Sequence, residues 1–146
     1  MILAIDPGTT QSGWVLLNGA RVVDSGVDSN ADVLRMVQES TANRLAIEMI
    51  ASYGMAVGRE VFATCVWVGR FQQAWRDPEA VRLVYRQEVK LGLCHSPRAK
   101  DANIRQALID LLGPQGTKKA PGPTYGVSSH AWAALGVAVV AGRAAA

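Results

Sequence analysis

The chain has 146 residues, 49% of them hydrophobic and 18% charged, a balance that fits a folded domain and excludes a disordered or fibrous chain. One domain is expected at this length, burying roughly two thirds of the surface that its unfolded chain exposes. A formal net charge of +3 and a pI near 9.1 admit an acidic polymer as partner without identifying one.

Ile2 to Ile5 is a short apolar run stopped by Asp6-Pro7-Gly8, and it predicts a buried strand with Asp6 at its end. This opening has none of the basic, apolar and cleavage regions of a secretory leader, so a cytoplasmic protein is expected. Ser12–Leu17 and Ala20–Gly26 are two further strands around Asn18-Gly19, the strongest two-residue hairpin signal. Ser29 or Asn30 caps a short helix running to about Glu39, with Val33, Leu34 and Val37 on its buried face. Arg44 to Glu48 predicts a strand that a right-handed crossover lays parallel to the first. Glu48 then ends that strand as Asp6 ends strand one.

From Ala56 to Trp75 there is no proline, and Val57, Val61, Cys65, Val68 and Trp75 mark a helical stripe that Phe62, Val66 and Trp67 widen. A helix apolar around so much of its circumference needs cover on more than one side. The cover comes either from its own domain or from a second subunit, and Gly58, Ala63 and Gly69 permit close approach. After Asp77-Pro78, Val81–Tyr85 predicts another strand; structure from there through Ser96 is indefinite.

Asp101 caps a helix carrying Ile104, Ala107, Leu108, Leu111 and Leu112, and Gly113-Pro114 stops it. The Gly-, Pro- and Lys-rich stretch 115–126 predicts a mobile loop. A final helix runs from Ser128 or Ser129 to about Gly142; its apolar part, 131–140, is shorter than the ~20 residues of a membrane span and predicts a core helix. No membrane partner is expected. Cys65 and Cys94, each among apolar neighbours, predict reduced, buried thiols. Cys94-His95 has no second pair at zinc-ligand spacing. With no repeat and no linker, residues 1–146 are expected to form a single domain.

Two carboxylates ending adjacent parallel strands repel each other unless a cation lies between them. Asp6 and Glu48 are thus candidate ligands for Mg²⁺ or Mn²⁺, and two such ions ~3.5–4 Å apart can drive phosphodiester hydrolysis. Asp6 as a turn cap and Glu48 as an arginine partner are the bland alternatives. Arg82, Arg86, Lys90, Arg98, Lys100 and Arg105, followed by Lys118 and Lys119, form a discontinuous basic track. Of these, Arg86, Lys90, Arg98, Lys100, Lys118 and Lys119 are candidate DNA contacts, with solvated surface as the alternative.

The opening Ile2-Leu3-Ala4-Ile5-Asp6-Pro7-Gly8-Thr9-Thr10-Gln11-Ser12-Gly13-Trp14 resembles the first motif of RuvC-family Holliday junction resolvases, and Ala46-Ile47-Glu48 resembles their second acidic motif. Lys90 and Lys100 fall where that family places basic residues near the scissile phosphate. Ser129 to Leu135 resembles its C-terminal metal-binding helix, and Glu48 to Gly54 is most similar to the shorter resolvases of bacteriophages. The resemblance implies an α/β, RNase H-like mixed five-stranded sheet with helices on both faces. It also implies a homodimer that resolves four-way and other branched DNA by paired, metal-dependent nicks, with two ions per active site. Tyr53 is near where the family presents an aromatic to junction bases, where stacking is worth ~1–3 kcal/mol; packing on its own domain is the alternative.

The chain departs from the family at the last motif, where two acidic residues three apart are usual and His130 and Ala133 stand instead. His130 suits a metal ligand or a base near neutral pH, or is a helix-end histidine without chemistry. Asp101, beside Lys100, is the candidate for the missing carboxylate, or a plain helix cap. The catalytic set implied is Asp6, Glu48, His130, Asp101 and Lys100, with the first four as metal ligands. Three rivals remain. One is a junction-binding protein with weak or no nuclease activity; another is an RNase H-like nuclease acting on other nucleic acids. The third is a phosphotransferase, since Asp6-Pro7-Gly8-Thr9-Thr10 also resembles the turn of sugar kinases, although no second glycine-rich phosphate motif follows.

Overall fold

Alternation along the central strands decides which side of the sheet each residue serves. In the computed structural model, which describes residues 1–144, the strands are β1 (Ile2–Asp6), β2 (Gln11–Asn18), β3 (Arg21–Ser29), β4 (Arg44–Met49) and β5 (Arg82–Tyr85). They form one five-stranded sheet in the order β3-β2-β1-β4-β5. The β1–β2 and β2–β3 pairs are antiparallel, and β1–β4 and β4–β5 are parallel. The last two residues of the domain expected over 1–146 lie outside the described residues.

Leu3 and Ile5 of β1, with Leu45 and Ile47 of β4, pack on one face against Val33 and Val37 of α1 (Asn30–Glu39) and Val68 and Phe71 of α2 (Arg59–Ala74). The intervening Ala4 and Ala46 face the other layer, made of α3 (Arg86–Cys94), α4 (Asp101–Leu112) and α5 (Ala131–Ala144). Helices therefore cover both faces, as expected. Small residues let α5 lie close: Ala134, Ala138 and Ala141 are fully buried, and a Cβ on Gly136 would come within 2.9 Å of Val89 Cγ1. No helix among the described residues is long and apolar enough to cross a membrane.

Several expectations need correction. The indefinite stretch after β5 is a helix, α3, whose brevity and sparse apolar face (Val89 buried, Leu93 and Cys94 half-buried) hid its period. Residues 115–126 form a structured loop: Gly116 bridges Pro121, and the wholly buried Thr124 hydroxyl donates to the Gly113 carbonyl at 2.9 Å. Of the two caps expected for α1, Ser29 is the one found, accepting from the Asp32 amide at 3.2 Å. The stripe α2 buries is Thr64, Val68 and Phe71, followed by Trp75. Cys65 and Cys94 are free, as expected, but only half-buried.

Candidate active site

Asp6 and Glu48 lie two residues beyond Ala4 and Ala46, so the two-residue period of a strand turns both toward the α5 side. The β1–β4 register pairs Ala4 with Ala46 and Ile5 with Ile47, which sets the carboxylates side by side at the strand ends. The chain leaves Asp6 through a turn locked from beneath by buried Asn30. Its amide donates to the Gly8 carbonyl at 3.0 Å, and its oxygen accepts from the Ser12 hydroxyl at 2.5 Å.

Glu48 is 9% exposed, and its pKa is raised from 4.5 to about 8, chiefly by burial. A hydrogen bond to Asp6 and the negative charge of Asp6 contribute to that rise, while the charge and hydrogen bond of Arg86 oppose it. Near neutral pH Glu48 thus retains a proton that it shares with Asp6.

Arg86, the first residue of α3, reaches into this pair. Its Nη1 lies 3.4 Å from Glu48 Oε1, and its Nη2 pairs with Asp101 at the start of α4. From the other side, His130 Nδ1 lies 3.3 Å from Asp6 Oδ2. His130 immediately precedes α5, after Ser129 in a left-handed conformation at φ 52°. A cavity of about 580 Å³ is lined by Asp6, Arg86, Asp101, His130, Trp132 and Ala133, among others.

Four of the five catalytic candidates, Asp6, Glu48, Asp101 and His130, are thus gathered in one place, and Lys100 stands beside Asp101 as the cap residue of α4. The metal set is looser than expected. Among the described residues, no three His, Cys, Asp or Glu side chains are grouped so that they could hold an ion, and Asp101 is linked to Glu48 only through Arg86. The donor chemistry still suits a hard divalent cation. Asp6 and Glu48 offer adjacent oxygens, and the proton on Glu48 and the guanidinium beside it supply the positive charge that an ion would bring.

The basic track divides. Arg86 serves the site, and Lys90 lies one helical turn further along α3. Lys100 and Arg98 are exposed near the start of α4. Lys118 and Lys119 sit elsewhere: their loop joins the β2–β3 hairpin end, where Arg21 donates to Pro121 at 3.2 Å and Val22 to Pro123 at 2.9 Å. Because Ile2 pairs with Leu17 and Asp6 with Gly13, that end lies about 13 Å of strand away from Asp6. Tyr53 is 63% exposed beside Met55 at 75%, on a turn closed by the Met55 amide and the Ser52 carbonyl at 2.9 Å. Tyr53 and Gly54 both have positive φ there, as in a type I′ turn.

Gly13 is a site residue that sequence reasoning overlooked. A Cβ there would come within 2.5–2.8 Å of the His130 backbone and Cβ, so only glycine lets the segment before α5 approach Asp6. Its signal was a glycine inside a strand, which often marks close approach of another backbone.

No family model matches the chain, and no curated protein does. Solved structures do. A Thermus thermophilus RuvC structure matches at 20% identity and TM-score 0.70, over 99% of this chain and 94% of that one. T. thermophilus RuvC in complex with Holliday junction substrate matches at 22% identity and TM-score 0.71, over 99% and 93%. The architecture is therefore the RNase H-like fold, in the form that RuvC has.

Two outcomes follow from this geometry. Replacing Gly13 by Ala overpacks the β2–His130 contact and lowers stability by ~1–3 kcal/mol in urea unfolding, with the His130 ring signals shifted by NMR. Stability of the metal-free protein is also pH-dependent. Because folding raises the pKa of Glu48, its contribution is complete below pH 4.5 and is lost as pH rises through about 8. Thermal melts should therefore fall across that window in the wild type and much less in Glu48→Gln, and added Mg²⁺ should restore the wild type most at the alkaline end.

Proposed function

We propose that the chain is a RuvC-family endonuclease, of the bacteriophage type, that cuts four-way and other branched DNA with Mg²⁺ or Mn²⁺. The observation that carries this reading is the Asp6–Glu48 pair, with His130 against Asp6, at the strand ends of a RuvC-like fold. Held by these carboxylates, a divalent ion would contribute charge stabilisation at the phosphate and activation of water. Asp6 and Glu48 would hold the ion, and the exposed imidazole of His130 orients or deprotonates the attacking water. Lys100, with Lys90, offsets charge on the phosphate, and Arg98 extends the contact with the DNA backbone. Lys118 and Lys119, remote from the carboxylates, would meet only a distant part of the DNA.

The exposed turn bearing Tyr53 fits an aromatic that stacks on an unpaired junction base. The protein acts as a homodimer in this proposal, because two opposed nicks in a symmetric junction need two sites related by a twofold axis. Supporting that, α2 leaves Phe62 61% and Val66 62% exposed on the helix side away from the core. A second reading, a junction binder with little turnover, is favoured by one feature. Ala133 puts a methyl group in the cavity where the resembled family has a carboxylate.

Labelled four-way, forked, linear duplex and RNA–DNA hybrid substrates, incubated in Mg²⁺ or Mn²⁺, separate these readings. The expected result is symmetric nicks confined to branched DNA, reduced at least ~100-fold in Glu48→Gln with binding retained. Binding without cleavage in either metal would establish the second reading, and cleavage of hybrids alone would overturn the substrate. Sedimentation at micromolar concentration should show a dimer that Phe62→Glu converts to a monomer; a wild-type monomer even on junction DNA would remove the paired-nick model.

A further inference from the structure

Arg86 occupies an unusual place for a residue of a basic track. It is not spread over the surface; its two terminal nitrogens divide between Glu48, inside the site, and Asp101, on the far wall of the same cavity. A guanidinium keeps its charge at every accessible pH and presents its donors in a rigid fork. It is thus a fixed cation between two carboxylates, with donors left over for a phosphate oxygen. His130 and Ala133, the cavity residues from the α5 side that stand nearest the resembled acidic motif, bring no carboxylate.

Building on the nuclease reading above, we propose that Arg86 takes the place of a second metal ion, so that each active site binds one divalent cation and not the two expected from the sequence. Charge counting supports this. Asp6, Glu48 and Asp101 together carry three negative charges when ionised; Arg86 offsets one of them, and a single divalent ion offsets the others. A second ion would leave the site two positive charges in excess, with no further carboxylate among the described residues of the cavity to bind it. With Asp6 and Glu48 taken up by the first ion, a second would need Asp101 as ligand, and Arg86 occupies it. The arrangement gives the phosphate a cation on each side: an exchangeable ion at the Asp6 end and a covalently tethered one at the Asp101 end.

The test is a count of bound Mn²⁺ on metal-free protein, read from the electron paramagnetic resonance signal of free Mn²⁺ during titration. Wild type should bind one ion per protomer, and Arg86→Lys, which keeps the charge, should also bind one. Arg86→Ala frees Glu48 and Asp101: it should bind its first ion about tenfold more tightly, through loss of a nearby like charge, and gain a second ion. Cleavage by that variant should nevertheless fall by at least ~100-fold, a combination that a purely structural role for Arg86 would not produce. Two ions of comparable affinity in the wild type would overturn this proposal and leave the nuclease reading intact. No Mn²⁺ binding at millimolar concentration would overturn both. The wild-type count decides even if a variant folds poorly.

Discussion

Two carboxyl groups on neighbouring parallel strands, pressed together on the same face of a sheet, are the constraint around which the rest of the molecule is arranged. Left ionised and unpaired in a site as dry as that of Glu48, they would destabilise the fold. The chain meets this with a retained proton on Glu48, a guanidinium from α3 and an imidazole beside Asp6. Each of these comes from a different part of the sequence. The site therefore exists only once β1, β4, α3 and the segment before α5 are all in place.

The fold's two layers play unequal parts in this. On the α1–α2 side the sheet is covered by large residues, Leu3, Ile5, Leu45, Ile47 and Phe71, all fully buried. On the α5 side β1 and β4 contribute Ala4 and Ala46, and the helix contributes Ala134, Ala138 and Ala141, while its Gly136 faces Val89 of α3 and Ile104 of α4. Small residues on both partners bring α5 close to the sheet, and that closeness carries His130 to Asp6. The large-residue face anchors β1 and β4, and the small-residue face sets the distance across the site. Gly13 extends the same logic by one position, where even a methyl group would be too much.

How much of this was legible in the sequence follows from the range of each signal. Strand ends, the Asn18-Gly19 hairpin and the placement of Asp6 and Glu48 rest on local patterns, turn residues and a period of two, and these appear in the structure with boundary shifts of one to three residues. Helix α3 was not legible, because in nine residues it shows little apolar periodicity. Lys118 and Lys119 looked like part of one basic track because they follow it in sequence. The loop's docking onto the β2–β3 hairpin, through Arg21 and Val22, is a long-range event that no local pattern encodes. Arg86 was legible as a positive charge but not as the link between Glu48 and Asp101, which depends on α3 and α4 starting at the same end of the sheet.

Apart from His95, the left-handed C-cap of α3, the residues that break local rules serve the site or the exposed turn. Glu48 is a buried acid. Ser129 and Tyr53 adopt left-handed backbone conformations that side-chain-bearing residues disfavour, each at a cost of order 1–3 kcal/mol. The cost of Ser129 sets the direction from which His130 meets Asp6, and that of Tyr53 presents an aromatic ring to solvent. Neither gains compensating burial of its own, since Ser129 and Tyr53 are both exposed. The offset must come from the packed faces of the sheet, which tolerate strain at one end of the strands because their large residues lock the other side. A site built this way gains little from local stabilisation: relaxing Ser129 or neutralising Glu48 by substitution would make the domain more stable and move or remove the groups that define it.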